Sequence, residues 1–182
     1  TLIQYPAGNP NISFAVPLTV SAIEKAAFAH SENLHSVDLT IDLTVISEGA
    51  FATCWYLETV MIPDSVTRIE KTAFMWNIAL SNINLPDQLV FVGDHAFYGC
   101  ESLKAIDIPL TTEVVEDNAF AGLGISDVFI PAKLSSIGAN AFESSSLESI
   151  EVDSANQSYS SLSGVLYDKN QTKIILYPSS KL

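Results

Sequence analysis

Apolar residues recur along this chain in one phrase written six times. An Ala-Phe pair ends at Phe28, Phe51, Phe74, Phe97, Phe120 and Phe142, at spacings of 23, 23, 23, 23 and 22 residues. Five or six residues after each Phe stands an aliphatic: Leu34, Leu57, Leu80, Leu103, Ile125 and Leu147. Three residues on come Val37, Val60, Ile83, Ile106, Val128 and Ile150, and two beyond those Leu39, Ile62, Leu85, Ile108, Ile130 and Val152. Apolar positions two apart share one face of a short strand. Pro63, Pro86, Pro109 and Pro131 follow, and a residue without an N–H stops a strand; Thr40 and Asp153 stand there in the other two copies. Five residues before each Phe is a further aliphatic (Ile23, Ile46, Ile69, Val92, Val115, Ile137), which belongs to a second, shorter extended segment on an opposite wall. A single copy cannot bury its apolar row, but stacked copies bury a continuous one. The pattern predicts a mostly β, right-handed solenoid of about six 23-residue coils, with parallel strands on its concave face.

The two ends depart from the phrase. Phe14, Val16 and Pro17 match only the strand of a truncated first copy, and Val20 and Ile23 its second wall. The loops after Phe120 and Phe142 are each one residue short. Near the C-terminus, strand-like runs at 162–167 and 173–177 flank the turn signal Asp-Lys-Asn-Gln-Thr at 168–172, which reads as a β-hairpin. The opening Leu-Ile-Gln-Tyr-Pro echoes Ile-Ile-Leu-Tyr-Pro at 174–178. Residues 1–157 thus read as solenoid, with 1–17 deriving from a preceding unit. Residues 158–182 read as a hairpin that caps the stack or joins it to a further block, in a chain cut from a longer array.

An apolar content of 48% suffices for one continuous core. The balance of 21 acidic against 8 basic residues, net −13, narrows the partners. Phosphate contacts need clustered cations, and the lysines and the arginine are scattered, so nucleic acid is not expected. The negative charge either solubilises a long exposed surface or steers a basic partner. No apolar run approaches the ~20 residues of a membrane helix, so no membrane insertion is expected of this segment.

The chemistry-bearing residues form no catalytic constellation. His30, His35 and His95 lack a nucleophile at recognisable spacing, and no Gly-x-Ser-x-Gly, His-Glu-x-x-His, phosphate-loop or dinucleotide motif occurs. Neither an enzyme nor a cofactor is expected. Cys54 and Cys100 occupy one column two coils apart, ~10 Å, beyond the ~7 Å reach of a disulfide, so both are expected free, as small buried fillers. Asp38 with Asp42 and Asp94 with His95 are isolated pairs, and calcium-loop patterns are absent, so no metal site is expected. Asn11, Asn156 and Asn170 open glycosylation sequons, which matter only in a eukaryotic secretory pathway.

The exposed columns are the better candidates. One runs through Ser36, Thr59, Asn82, Ala105, Asp127 and Ser149, and its neighbour through Asp38, Met61, Asn84, Asp107, Phe129 and Glu151. Together they make a small, polar, acidic face that either binds a partner or is plain solvated sheet. Trp55, Tyr56, Met75, Trp76 and Tyr98 should cluster along one edge, as exposed anchors or tucked into the turns. Val90, Phe91 and Val114 should make a third, outward-facing apolar patch.

The phrases IPDSVTRIEKTAF (62–74) and AFYGCESLKAIDIP (96–109) closely resemble the leucine-rich repeats of BspA-type surface proteins. The tail SGVLYDKNQTKIILYP (163–178) resembles the hairpin those proteins carry between repeat blocks. The resemblance implies a leucine-rich-repeat solenoid in a secreted or cell-surface protein. It also implies a non-enzymatic binding or adhesion role, toward a protein or glycan on host or neighbouring cells. The alternative is a spacer that projects another domain from the surface. Two stretches depart from the family pattern: 40–43 lacks the usual Pro, and 110–113 should disturb the second wall. The family supplies no fixed site residues to carry over, and the oligomeric state is not indicated.

Overall fold

The computed structural model describes residues 1–39, 42–144 and 146–181. Its organising unit is the turn around each Phe. Residues two before Phe (Ala26, Gly49, Thr72, His95, Asn118, Asn140) all have positive φ, and so do His30, Thr53, Trp76, Gly99 and Gly122 two after the first five. These paired left-handed residues bend the chain back across the core. In each turn the Phe N–H donates to the carbonyl of the next coil's Ala (Phe28 to Ala50, Phe51 to Ala73, Phe74 to Ala96, Phe97 to Ala119, Phe120 to Ala141) at 2.7–2.8 Å. That spacing requires a small residue, and all six Ala side chains are buried. The Phe rings then stack coil on coil, with centroids 4.8, 5.2, 5.1, 5.3 and 5.6 Å apart and planes within 11° of parallel.

The two expected walls are both present. The first carries β1 (Ser13–Ala15), β2 (Ser36–Asp38), β4 (Thr59–Met61) and β6 (Asn82–Ile83) as one parallel sheet. Farther along it, β9 (Asp127–Ile130) and β11 (Ser149–Val152) pair as a separate parallel sheet. The second wall is unbroken: β3 (Val45–Ile46), β5 (Arg68–Ile69), β7 (Phe91–Val92), β8 (Val114–Val115) and β10 (Ser136–Ile137) form one five-stranded sheet. The expected disturbance at 110–113 does not occur. The Thr111 hydroxyl donates to the Asp87 and Leu89 carbonyls, and that of buried Thr112 also to Leu89, so the wall continues through β8 in register. The other departure, 40–43, lies partly outside the described residues; Leu43 in it is core.

The N-terminal segment extends the stack. Leu2 bridges Ile23 in parallel, and the Tyr5 N–H donates to Ala27. Tyr5 stands 23 residues before Phe28, is buried, and packs 5.3 Å from that ring, so it continues the aromatic column. At the other end the run 162–167 is not one strand. Ser163 and Gly164, both at positive φ, turn the chain between β12 (Tyr159–Leu162) and β13 (Val165–Asp168), and β14 (Ile174–Leu176) completes an antiparallel meander. The expected hairpin is β13–β14, with β12 added. Its second turn is held by Asp168, whose carboxylate accepts from the Thr172 and Lys173 N–H groups and the Thr172 hydroxyl. These donors hold that carboxyl below its ordinary range.

Candidate functional site

Strand register settles where the wall residues lie. Ser36, Thr59 and Asn82 are direct neighbours on the four-stranded sheet, as are Asp38 and Met61. Asp127 faces Ser149, and Phe129 faces Glu151, on the two-stranded sheet. Met61 and Phe129 are exposed at 61% and 43%, which makes them apolar projections from an otherwise polar surface. Asn84, just beyond β6, is exposed. Asp38 is only half-exposed, and its Oδ1 is buried with no hydrogen-bond partner among the described residues.

Ala105 and Asp107 are different. Among the described residues, no backbone hydrogen bond joins 104–108 to either neighbouring strand. The regular step in which each coil donates to the one before, Glu58 to His35 and Ser81 to Glu58, has no counterpart from Lys104 to Ser81. Beyond the break, Gly124 donates to Leu103 instead. Ile106 and Ile108 still point inward, but they are 7% and 6% exposed where most of the core is sealed. Clefts open on both sides: about 510 Å³ bounded by Asn82, Asn84, Asp87, Ala105 and Asp107, and about 350 Å³ bounded by Ala105, Asp107, Asp127, Phe129 and Glu151. The first wall is therefore two sheet edges facing an unpaired strand, and its acidic side chains gather at the break.

The aromatic edge divides. Trp76 meets Tyr98 edge-to-face at 5.1 Å, and Tyr98 also packs on His95 at 5.0 Å. Trp76 lies against Gly99, where a Cβ would come within 2.6 Å of the indole ring. Tyr56 instead stacks on His35 at 6.0 Å. Trp55 is exposed, and Met75 is half-buried. The third patch is covered in part, because the Arg68 guanidinium sits 3.9 Å over the Phe91 ring and Val90 and Val114 are half-buried.

The histidines are engaged locally: His30 with the Thr53 hydroxyl, His35 with the Asn33 carbonyl, and His95 with Asp94. Among the described residues no group of three His, Cys, Asp or Glu side chains is placed to hold a metal ion, and no helix is long and apolar enough to cross a membrane. Both cysteines are free and buried, but they do more than fill space. The Cys54 thiol donates to the Phe28 carbonyl and that of Cys100 to the Phe74 carbonyl. Ser31 and Asn77 do the same from the same column. The readable signal is that this position, three after Phe, holds Ser, Cys, Asn and Cys in the first four copies, all donors, before Leu123 takes it in the fifth. Burial pushes the Cys54 thiol up to about 11 and the Cys100 thiol up to about 12. Asn156, which opens one of the three sequons, is held inside the fold. Its side chain is buried, donates to the Pro131 and Leu134 carbonyls, and accepts from the Ser158 and Tyr159 N–H groups. In the folded chain it is a structural amide.

Comparison with known proteins agrees with this geometry. The BspA type leucine rich repeat region matches residues 8–109 and 67–180, in six copies. The pneumococcal vaccine antigen PcpA shares the fold at a TM-score of 0.82 and 25% identity, over 98% of this chain and 49% of that one. A leucine rich cell surface protein from Faecalibacterium prausnitzii A2-165 follows at 0.69 and 26% identity, over 95% and 56%. A leucine-rich repeat protein from Eubacterium ventriosum, 22% identical with a TM-score of 0.67 over 92% and 45%, shares the fold. This chain thus spans about half the length of these proteins. No curated protein matches it. The chain belongs to the BspA-type leucine-rich repeat family.

Proposed function

We propose that this chain is a non-enzymatic binding and adhesion module of a secreted or cell-surface protein. It presents its first wall to a protein or glycan on a host or neighbouring cell. Family membership and the likeness to a vaccine antigen and a cell surface protein support the extracellular setting. The observation that carries the binding reading is the break in the wall. A continuous sheet offers a partner only side chains, because its backbone groups are spent on the ladder. Here residues 104–108 leave theirs to solvent or to a ligand. Asp107, Asp127 and Glu151 surround them, with Phe129 as the apolar anchor. That chemistry suits a basic protein segment better than an acidic one.

The test is capture on an array of matrix proteins and glycans, followed by the triple variant Asp107→Lys, Asp127→Lys, Glu151→Lys. All three side chains are exposed, so the fold should survive. Asp38 is left out because its carboxylate is partly buried. Charge reversal is expected to weaken capture at least about tenfold and to flatten its salt dependence. Unchanged capture by a variant with native circular dichroism would sink the wall reading.

A further inference from the structure

The two shortened loops have a consequence on the flank of the stack, beside the first wall and sharing Lys104 with its margin. Residues 121–124 and 143–146 each run one residue shorter than the loop 98–102. Beside the full-length loop, the described residues of these stretches border a depression of about 620 Å³, lined by Tyr98, Glu101, Lys104, Asn118, Gly122 and Glu143. That is ample for one or two sugar rings, in the range of small-molecule sites.

The walls are rigid. Tyr98 packs edge-to-face on Trp76 at 5.1 Å and at a tilt on His95 at 5.0 Å, and these contacts hold its half-buried ring at the depression. The Gly122 N–H is bound to the Glu143 carbonyl at 2.8 Å, and the Gly99 N–H to Ala121 at 3.0 Å, which locks the short loops to their neighbours. Gly122 and Gly124 contribute bare backbone, and Lys104 runs across Gly124 where a side chain would collide with it.

We propose that this depression binds a neutral pyranose, as one residue of a glycan. The reading goes beyond the first wall and does not depend on it. An aromatic ring offers a flat apolar surface to the C–H face of a sugar, while carboxylates and an amide accept from and donate to its hydroxyls. Tyr98 supplies the first, and Glu101, Glu143 and Asn118 the second. The charge balance argues against other ligands. Two carboxylates face one ammonium, and Lys104 Nζ already donates to the Glu101 carbonyl at 3.0 Å, so sulfated, phosphorylated or sialylated groups are disfavoured. The lining is too polar for a purely apolar ligand.

The experiment adds free glucose, galactose, mannose, N-acetylglucosamine and N-acetylgalactosamine in turn to ¹⁵N-labelled protein. At least one should shift the Asn118, Gly122 and Gly124 amides, with a Kd on the order of 1 mM. Tyr98→Ala should weaken that binding about tenfold. The exposed pair Glu101→Gln, Glu143→Gln should weaken it severalfold without touching the fold, which keeps the test valid if Tyr98→Ala unfolds. The wall triple variant should bind the sugar unchanged, so the two readings fail separately. A glycan array distinguishes a polymer-borne sugar from the free one, as the free sugar should compete with the array hit. The proposal is overturned if no sugar shifts these amides. It is equally overturned if only a lysine-rich peptide or a sulfated glycan does, or if neither variant alters binding.

Discussion

At the scale of single residues, the 23-residue period assigns each side chain a column, and the column sets its chemistry. Cys54 and Cys100 show how far that goes. Register alone places them two coils apart and unbridged. Their thiols are buried donors with pKa values raised to about 11 and about 12 from an ordinary 9.0. A thiol reagent should therefore label neither until the chain unfolds. The shifts also fix a pH dependence. The unfolded chain releases these protons near pH 9, whereas the folded one keeps them to higher pH. The stabilisation is thus complete below pH 9 and is lost as pH rises through about 11 to 12. The Cys54→Ser, Cys100→Ser variant should keep the fold, because Ser31 already serves as donor in that column, and should melt with a shallower alkaline decline. Labelling of the native protein would contradict this placement. Position is legible from register alone, and the donor role only from the Ser31 and Asn77 that share the column, because a cysteine taken singly reads as a small filler. Tyr5 was missed for a similar reason. The repeated phrase is Ala-Phe, and a tyrosine in the right phase that follows Gln4 instead of an alanine does not match it.

At the scale of elements, both walls could be read from alternation, and the break in the first could not. Leu103, Ile106, Ile108 and Pro109 keep the same phase as every other copy. Hydrophobic phase governs which way side chains point, and these do point inward. It does not govern whether adjacent backbones approach to hydrogen-bonding distance. The break coincides with the first shortened loop, whose Gly124 N–H donates to the Leu103 carbonyl, one residue before the Lys104 carbonyl that the regular step would use. Amide exchange checks the break directly. The N–H groups of 104–108 should exchange at least about a hundredfold faster than those of Val60 and Val128, which lie within paired strands. Uniform protection across the wall would mean that the ladder is continuous and would remove the main support for binding there. The meander shows the same limit from the other side. Ser163-Gly164 is a turn signal, but the apolar residues on both sides of it match a single strand as well as two.

At the scale of the whole molecule, a stack of this kind holds together through nearest neighbours, so its ends decide how it comes apart. The C-terminal meander closes both walls of the last coil at once. Tyr159 Oη accepts the Ile137 N–H of β10 at 2.9 Å, while the Gly164 carbonyl and Ser161 Oγ accept the Ile150 and Val152 N–H groups of β11. Leu166 completes the core, fully buried. Removing these partners leaves three strand donors without their acceptors on an apolar end, and any that stays shielded from water there costs about 1–3 kcal/mol. We therefore expect a chain ending at residue 157 to lose amide protection first in β10 and β11. We also expect it to associate through that open end as concentration rises, since an uncovered edge is a template for pairing. Light scattering and exchange on the truncated and intact chains would show this. A truncated chain that stays as monodisperse and as heat-stable as the intact one would mean that the meander is not a cap and serves instead to join one repeat block to the next.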